Sequence, residues 1–201
     1  MSDLPKDRGT LFEIEIYDRL RSEFKNDIQI IHNLLIPKIN AVNEYSEIDL
    51  IAIHVSGIYV LEVKNYSGPV TGKDEDEYWK PYVQDVDNNN QQSYKQNFAI
   101  KGFSQYGLYN PIKQNEGHIQ SLVALVPNSY INNVIFSDTM LIGPSMHPKI
   151  FSMNGFVDFL KKTPSQKYNA YDLTKIKESI LKVKVTDPRA ISLHKARLSR
   201  K

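Results

Sequence analysis

Cysteine is absent from the 201 residues, so disulfides and thiolate metal sites are excluded, and any bound metal must take oxygen or imidazole donors. Hard cations are favoured. No apolar run approaches the roughly 20 residues that a bilayer span requires. The opening Met-Ser-Asp-Leu-Pro-Lys-Asp-Arg is followed by no signal-peptide core. The expectation is a cytoplasmic protein without a membrane partner. Net charge is scarce too: 25 basic against 23 acidic side chains leave +2, too little to argue for a nucleic-acid partner from bulk charge. No Gly-x4-Gly-Lys phosphate loop or nucleophile elbow occurs, so an ATP-driven motor is not encoded. His32, His54, His147 and His194 show no metal-ligand spacing.

The rest is an ordinary globular composition, 41% hydrophobic and 24% charged, which suits one domain of about 150 residues with an appendage. The partition expected is 1–150 and 151–201. Charge is unevenly spread: residues 1–100 carry 10 basic and 17 acidic side chains, residues 101–201 carry 15 and 6. Such a chain can present carboxylates on one surface and cations on another.

Leu11, Ile14, Tyr17, Leu20 and Phe24 recur at helical spacing behind Thr10, which predicts an amphipathic helix over 10–24. A strand follows at Ile28–Ile36, then a polar connection at Lys38–Ser46. Two strands, Ile48–Val55 and Ile58–Lys64, are joined at Ser56-Gly57, the spacing of a tight hairpin. Tyr66-Ser67-Gly68 closes it. Val70–Gly72 and Tyr78–Val83 form a second hairpin whose tip is the acidic run Asp74–Glu77, and 84–97 reads as a polar loop. Asn110-Pro111 opens a helix reaching about Val123. Val134–Ile142 is expected as a strand, and Asn154–Lys161 and Leu173–Val183 as helices. Residues 182–201 carry seven Lys or Arg against one Asp; this is either a phosphate-attracting tail or a disordered end.

Asp49, Glu62 and Lys64 stand in otherwise apolar strands, where an unpaired charge costs several kcal/mol. With Ser56-Gly57 as a two-residue turn, Asp49 would face Lys64 and Ile51 would face Glu62. Side chains alternate with period two, so all three charges would share one face. Two converging carboxylates are good ligands for Mg²⁺, which a phosphate oxygen can approach by replacing a water. Lys64 beside them would orient or help deprotonate an attacking water, which adds up to metal-assisted phosphodiester hydrolysis. The alternative is structural: a buried Asp49–Lys64 pair bracing the hairpin, with Glu62 reaching solvent at the sheet edge.

The pattern Asp-x12-Glu-x-Lys across a hairpin resembles the PD-(D/E)XK nuclease superfamily. Glu47-Ile-Asp-Leu-Ile51, Gly57-Ile-Tyr-Val-Leu-Glu-Val-Lys-Asn-Tyr-Ser-Gly68, Trp79, Asn110-Pro-Ile-Lys-Gln114 with His118, and Gly9-x3-Glu13 with Leu20 are similar to the nuclease-related domain, or NERD, family, from about residue 9 to about residue 143. The resemblance implies an α/β fold of restriction-endonuclease type, a mixed sheet flanked by helices, with a helical C-terminal extension. It also implies Asp49, Glu62 and the Val63 carbonyl as metal ligands, Lys64 as the catalytic lysine, and Glu13 as a further acid near the metal. Gln114, with His118 on the same helix face, would support the site and the phosphate. Mg²⁺ is the cofactor implied, with Mn²⁺ able to substitute. The partner implied is DNA, with RNA not excluded and a homodimer or larger assembly compatible.

The chain departs from the pattern in carrying Phe12 just before the helix-1 Glu, and in the long stretch 84–109. That stretch holds Tyr94, Phe98, Phe103, Tyr106, Tyr109, Lys95 and Lys101, which either stack on nucleic acid or cover a core edge. The rival function is a non-catalytic nucleic-acid-binding or partner-recruiting module on the same fold.

Overall fold

The structure is a computed structural model that describes residues 8–39, 41–65, 70–86, 92–96, 107–126, 131–137, 150–163 and 166–198. Its first element is helix α1, Arg8–Phe24. The stripe that packs inward is Phe12, Ile16 and Leu20, four residues apart. Leu11, expected on that stripe, is 52% exposed, while Tyr17 and Phe24 flank the core half-buried. The sheet therefore takes the row one position round the helix from the expected one. Fully burying Ile16 and Leu20 contributes about 2 kcal/mol each.

Strands β1 (Ile28–Pro37), β2 (Tyr45–His54) and β3 (Gly57–Lys64) run antiparallel in sequence, and β3 pairs in parallel with β8 (Ile131–Ser137), which pairs in turn with β9 (Ile150–Phe151). The mixed sheet has the order β1-β2-β3-β8-β9. Helices α1 and α3 (Met153–Lys162) cover one face through Ile16, Leu20, Leu50, Leu61 and Phe156. Helices α2 (Pro111–Leu125) and α4 (Ala170–Leu181) cover the other through Ile51, Ile53, Val60, Leu122 and Leu173. Buried on both faces, β2 and β3 need apolar residues at nearly every position.

The register between β2 and β3 differs from the expected one. Leu50 pairs with Leu61 and His54 with Gly57, so the turn is Val55-Ser56. The turn rests on side chains instead of a glycine. His54 Nδ1 accepts from Ser56 N–H at 3.2 Å and lies 2.7 Å from Ser56 Oγ, which is itself 2.9 Å from the Tyr59 hydroxyl. The shift is two residues, so the alternation of faces survives.

Strands β4 (Val70–Thr71), β5 (Tyr78–Val86), β6 (Gln92–Gln96) and β7 (Leu108–Tyr109) build a smaller sheet. The loop expected over 84–97 is thus corrected: β5 runs on to Val86, and Gln92–Gln96 pairs with it through backbone bonds that polar side chains do not prevent. Gly72 lies so close to Trp79 that a Cβ there would fall 2.0 Å from the indole. Asn110 links this sheet to α2: its Nδ2 donates to the carbonyls of Lys73, Asp74 and Asp76, and its Oδ1 accepts from Ile112 and Lys113 N–H. The acidic hairpin tip is therefore tied down by its backbone.

Of the two expectations for 182–201, the disordered end does not hold over Pro188–Leu198, which forms helix α5. Val185 N–H donates to Leu35 O at 2.8 Å, His194 Nε2 lies 3.2 Å from Glu47, and Arg197 donates to Asn43 O at 3.0 Å. The Tyr66-Ser67-Gly68 turn and most of the aromatics between Tyr94 and Tyr106 lie outside the described residues. Among the described residues, no helix is long and apolar enough to cross a membrane.

Candidate metal and phosphate site

Pairing between β2 and β3 stops at Leu50–Leu61, while β2 stays with β1 as far as Tyr45 and β3 stays with β8 as far as Lys64. The two strands part where Asp49 and Glu62 stand. In place of the lost ladder, Asp49 Oδ2 accepts from Val63 N–H at 2.7 Å. Glu62 and Lys64 have the parity of Ile58 and Val60 and belong to the face covered by α2, whereas the alternation of β2 breaks at Asp49, because Ile48 lies with Ile51 and Ile53 on that same face.

Glu62 is 1% exposed on a central strand. It does not reach solvent at an edge. Its Oε1 accepts from Lys64 Nζ, so the ion pair of the site is Glu62–Lys64 rather than Asp49–Lys64. Its Oε2 is buried without a hydrogen bond, 3.4 Å from the equally unsatisfied Nδ1 of His118. Burial holds His118 below the usual imidazole range and outweighs the pull of Glu62, so the ring is neutral near pH 7. Asp49 is held well above the usual carboxylate range, first by burial and then by the charge of Glu62, against Lys64 and the Val63 N–H, with Glu13 adding a smaller push. Two carboxylates competing in one buried space want a cation.

Glu13 reaches this region from α1, the opposite face, and its Oε2 is held 2.9 Å from Nε2 of His32, the strand partner of Leu50. Gln114 is partly buried one turn before His118 on α2 and makes no hydrogen bond to Asp49, Glu62 or Lys64. Asp49, Glu62, Lys64 and His118 are therefore brought together, with Glu13 beside them and Gln114 one turn away. Sequence reasoning passed over His32, whose spacing from Glu13 gives no signal before β1 is laid against α1. It also passed over Asn115, which is buried and donates to Val60 O at 2.9 Å. An amide amid the apolar positions of a helix is the signal that would have found it.

No group of three or more His, Asp or Glu poised to hold a metal occurs among the described residues. Mg²⁺ does not require one, because it binds through one or two carboxylates and keeps several waters. The orphaned Glu62 Oε2 beside Asp49 fits that demand.

A mixed sheet between helices, with two acids and a lysine where adjacent strands diverge, is consistent with a nuclease-like α/β fold. The family model of the nuclease-related domain matches residues 8–138, and the chain belongs to that family. The match spans α1 to β8 and leaves α3, α4 and α5 outside it. Comparison with curated proteins and with solved structures gave no match.

Proposed function

We propose that the protein is a Mg²⁺-dependent nuclease that hydrolyses phosphodiester bonds within DNA, with Mn²⁺ able to replace Mg²⁺. The observation that carries this reading is the buried second oxygen of Glu62, which has no hydrogen bond although a second carboxylate stands beside it. Asp49, Glu62 and the Val63 carbonyl would hold the ion, which when bound supplies Lewis acidity and lowers the pKa of water. Lys64 Nζ, fixed by Glu62 Oε1, orients the attacking water and offsets the negative charge that builds on the phosphate. His118, neutral and buried, closes the inner side of the site against bulk water. Glu13, oriented by His32, supplies a further acid at the rim, and Gln114 lies toward the substrate side of α2 in this reading.

The test incubates supercoiled plasmid, linear duplex and RNA with the protein in Mg²⁺, Mn²⁺ or EDTA. Nicked or linear plasmid is expected with either ion, and neither with EDTA nor with Lys64→Ala. Nucleic acid that is bound yet left whole with both ions would overturn the catalytic reading in favour of a binding module. Cut RNA beside intact DNA would replace the substrate.

A further inference from the structure

β1 is the end strand of the large sheet, and its outer edge lies between α1 on one face and α4 on the other. A cavity of about 390 Å³ opens there, lined by Tyr17 and Arg21 of α1, Lys25 and Asn26 of the following turn, Gln29 of β1 and Lys177 of α4. Three of these six carry positive charge and none is acidic. Arg21 donates to the Tyr17 hydroxyl at 3.1 Å and Lys177 to the Gln29 amide oxygen at 3.2 Å. Neutral oxygens therefore hold both cations in place without cancelling their charge, and no carboxylate among the described residues forms an ion pair with either. Lys25 adopts a left-handed backbone (φ 47°), a conformation that lysine rarely takes.

Charges placed only to discourage pairing at an exposed strand edge need to project into water. Here Lys177 is half-buried, and both it and the exposed Arg21 are tethered by a hydrogen bond at the cavity wall. Glu13, Tyr17 and Arg21 follow one another at four-residue intervals, so they form a single row along α1. The row starts where Glu13 meets His32, next to the Asp49 strand position, and ends in the cavity. From Glu13 to Arg21 it spans about 12 Å along the helix axis, and one strand of B-form DNA advances about 3.4 Å per nucleotide.

We propose that this cleft is a phosphate subsite, in which Arg21, Lys25 and Lys177 grip the backbone of the nucleic-acid substrate roughly three to four nucleotides from the bond that is cut. The assignment of the ligand rests on the nuclease reading above. It gives the enzyme a contact that is indifferent to sequence and that fixes how the strand enters the site.

The test compares wild type with Arg21→Gln/Lys177→Gln, two accessible side chains whose neutral replacements leave the folded core untouched. Fluorescence anisotropy of a short duplex is read in EDTA, which prevents cleavage, across a salt series, and thermal melting is read with and without pyrophosphate. The double variant is expected to bind the duplex about tenfold more weakly at low salt. The slope of log affinity against log salt should become shallower by about two. Pyrophosphate should raise the melting temperature of wild type alone, and Arg21→Lys should keep most of the binding. A slope unchanged in the double variant, with a wild type that does cut DNA, overturns the subsite and spares the nuclease reading. Pyrophosphate binding lost in the variant, with a wild type that binds neither DNA nor RNA, overturns nucleic acid as the ligand and the nuclease reading with it.

Discussion

Glu62 Oε2 and His118 Nδ1 face each other across 3.4 Å, both buried and neither hydrogen-bonded. A carboxylate oxygen left that way is costly, by about 1–3 kcal/mol or more for a charged group. In Glu62→Gln, the new amide can donate to His118 Nδ1 while its oxygen still accepts from Lys64. The variant should be more stable than wild type by about 1–2 kcal/mol in EDTA and inactive as a nuclease. Chemical denaturation with and without chelator checks this. Destabilisation by Glu62→Gln would mean that Glu62 is a structural ion-pair partner and nothing more.

Divalent cation should raise the melting temperature of wild type, because an ion that binds only the folded state stabilises it by about 2.7 kcal/mol at a hundred times its dissociation constant. Asp49→Asn should abolish the response, and EDTA should reverse it. Calorimetry that detects no cation-dependent shift in wild type would remove the metal from the site.

Glu13 and His32 make a further case. If Glu13 serves the metal from the rim, His32→Ala should leave the fold intact and raise the Mg²⁺ concentration needed for half-maximal cleavage by about tenfold or more, as outer partners of ligands do. Excess Mg²⁺ should restore the rate. A metal requirement that does not move would assign Glu13 to α1–β1 packing alone.

His54 gives the stability a pH dependence. Its Nδ1 accepts from Ser56, and burial holds it below the usual imidazole range, so the folded state binds the proton less readily than the unfolded chain does. The stabilisation from the neutral ring is present above the unfolded value near 6.5 and is lost as pH falls through the lower folded value. His118, also lowered, adds in the same direction. His54→Asn keeps an acceptor near Ser56 N–H but does not titrate, so its denaturation midpoint should fall less than that of wild type between about pH 7 and pH 5.

Asn110 should prove the most sensitive position outside the core. Asn110→Ala strips the cap from α2 and takes its donor from the Asp74 and Asp76 carbonyls, while Lys73 O keeps Trp79 Nε1, a loss of about 2–4 kcal/mol. Asn110→Asp keeps the cap oxygen and should lose roughly half of that. No loss in Asn110→Asp would show that the turn needs no support from the Nδ2 donor.

The sequence was informative where a residue type has only one comfortable setting. Asn110-Pro111 marks the start of α2, and three charges in apolar strands point to the cluster that the structure brings together. It misled over the β2–β3 turn because Gly57 looked like the turn residue, whereas the His54–Ser56–Tyr59 bonds hold a turn one position earlier. Apolar runs buried on both faces offer no alternation from which to choose between registers. The buried stripe on α1 begins at Phe12 and not at the expected Leu11 because the two are equally apolar, and only the sheet decides which of them it covers. The strand at Gln92–Gln96 carries one aromatic, Tyr94, and no apolar alternation. Its pairing lies in the backbone, which composition does not report.

The hairpin between Val55 and Ser56 separates two strands that hydrocarbon lines on either side. Sliding them by one position would still fill both layers with aliphatic side chains, yet would set Asp49 level with Leu61 or Val63 instead of Glu62. Sliding by two would keep the acids on speaking terms. Length variation in that bend should therefore be tolerated in pairs of residues and rejected in single steps, with lost chemistry, and not lost folding, as the first symptom.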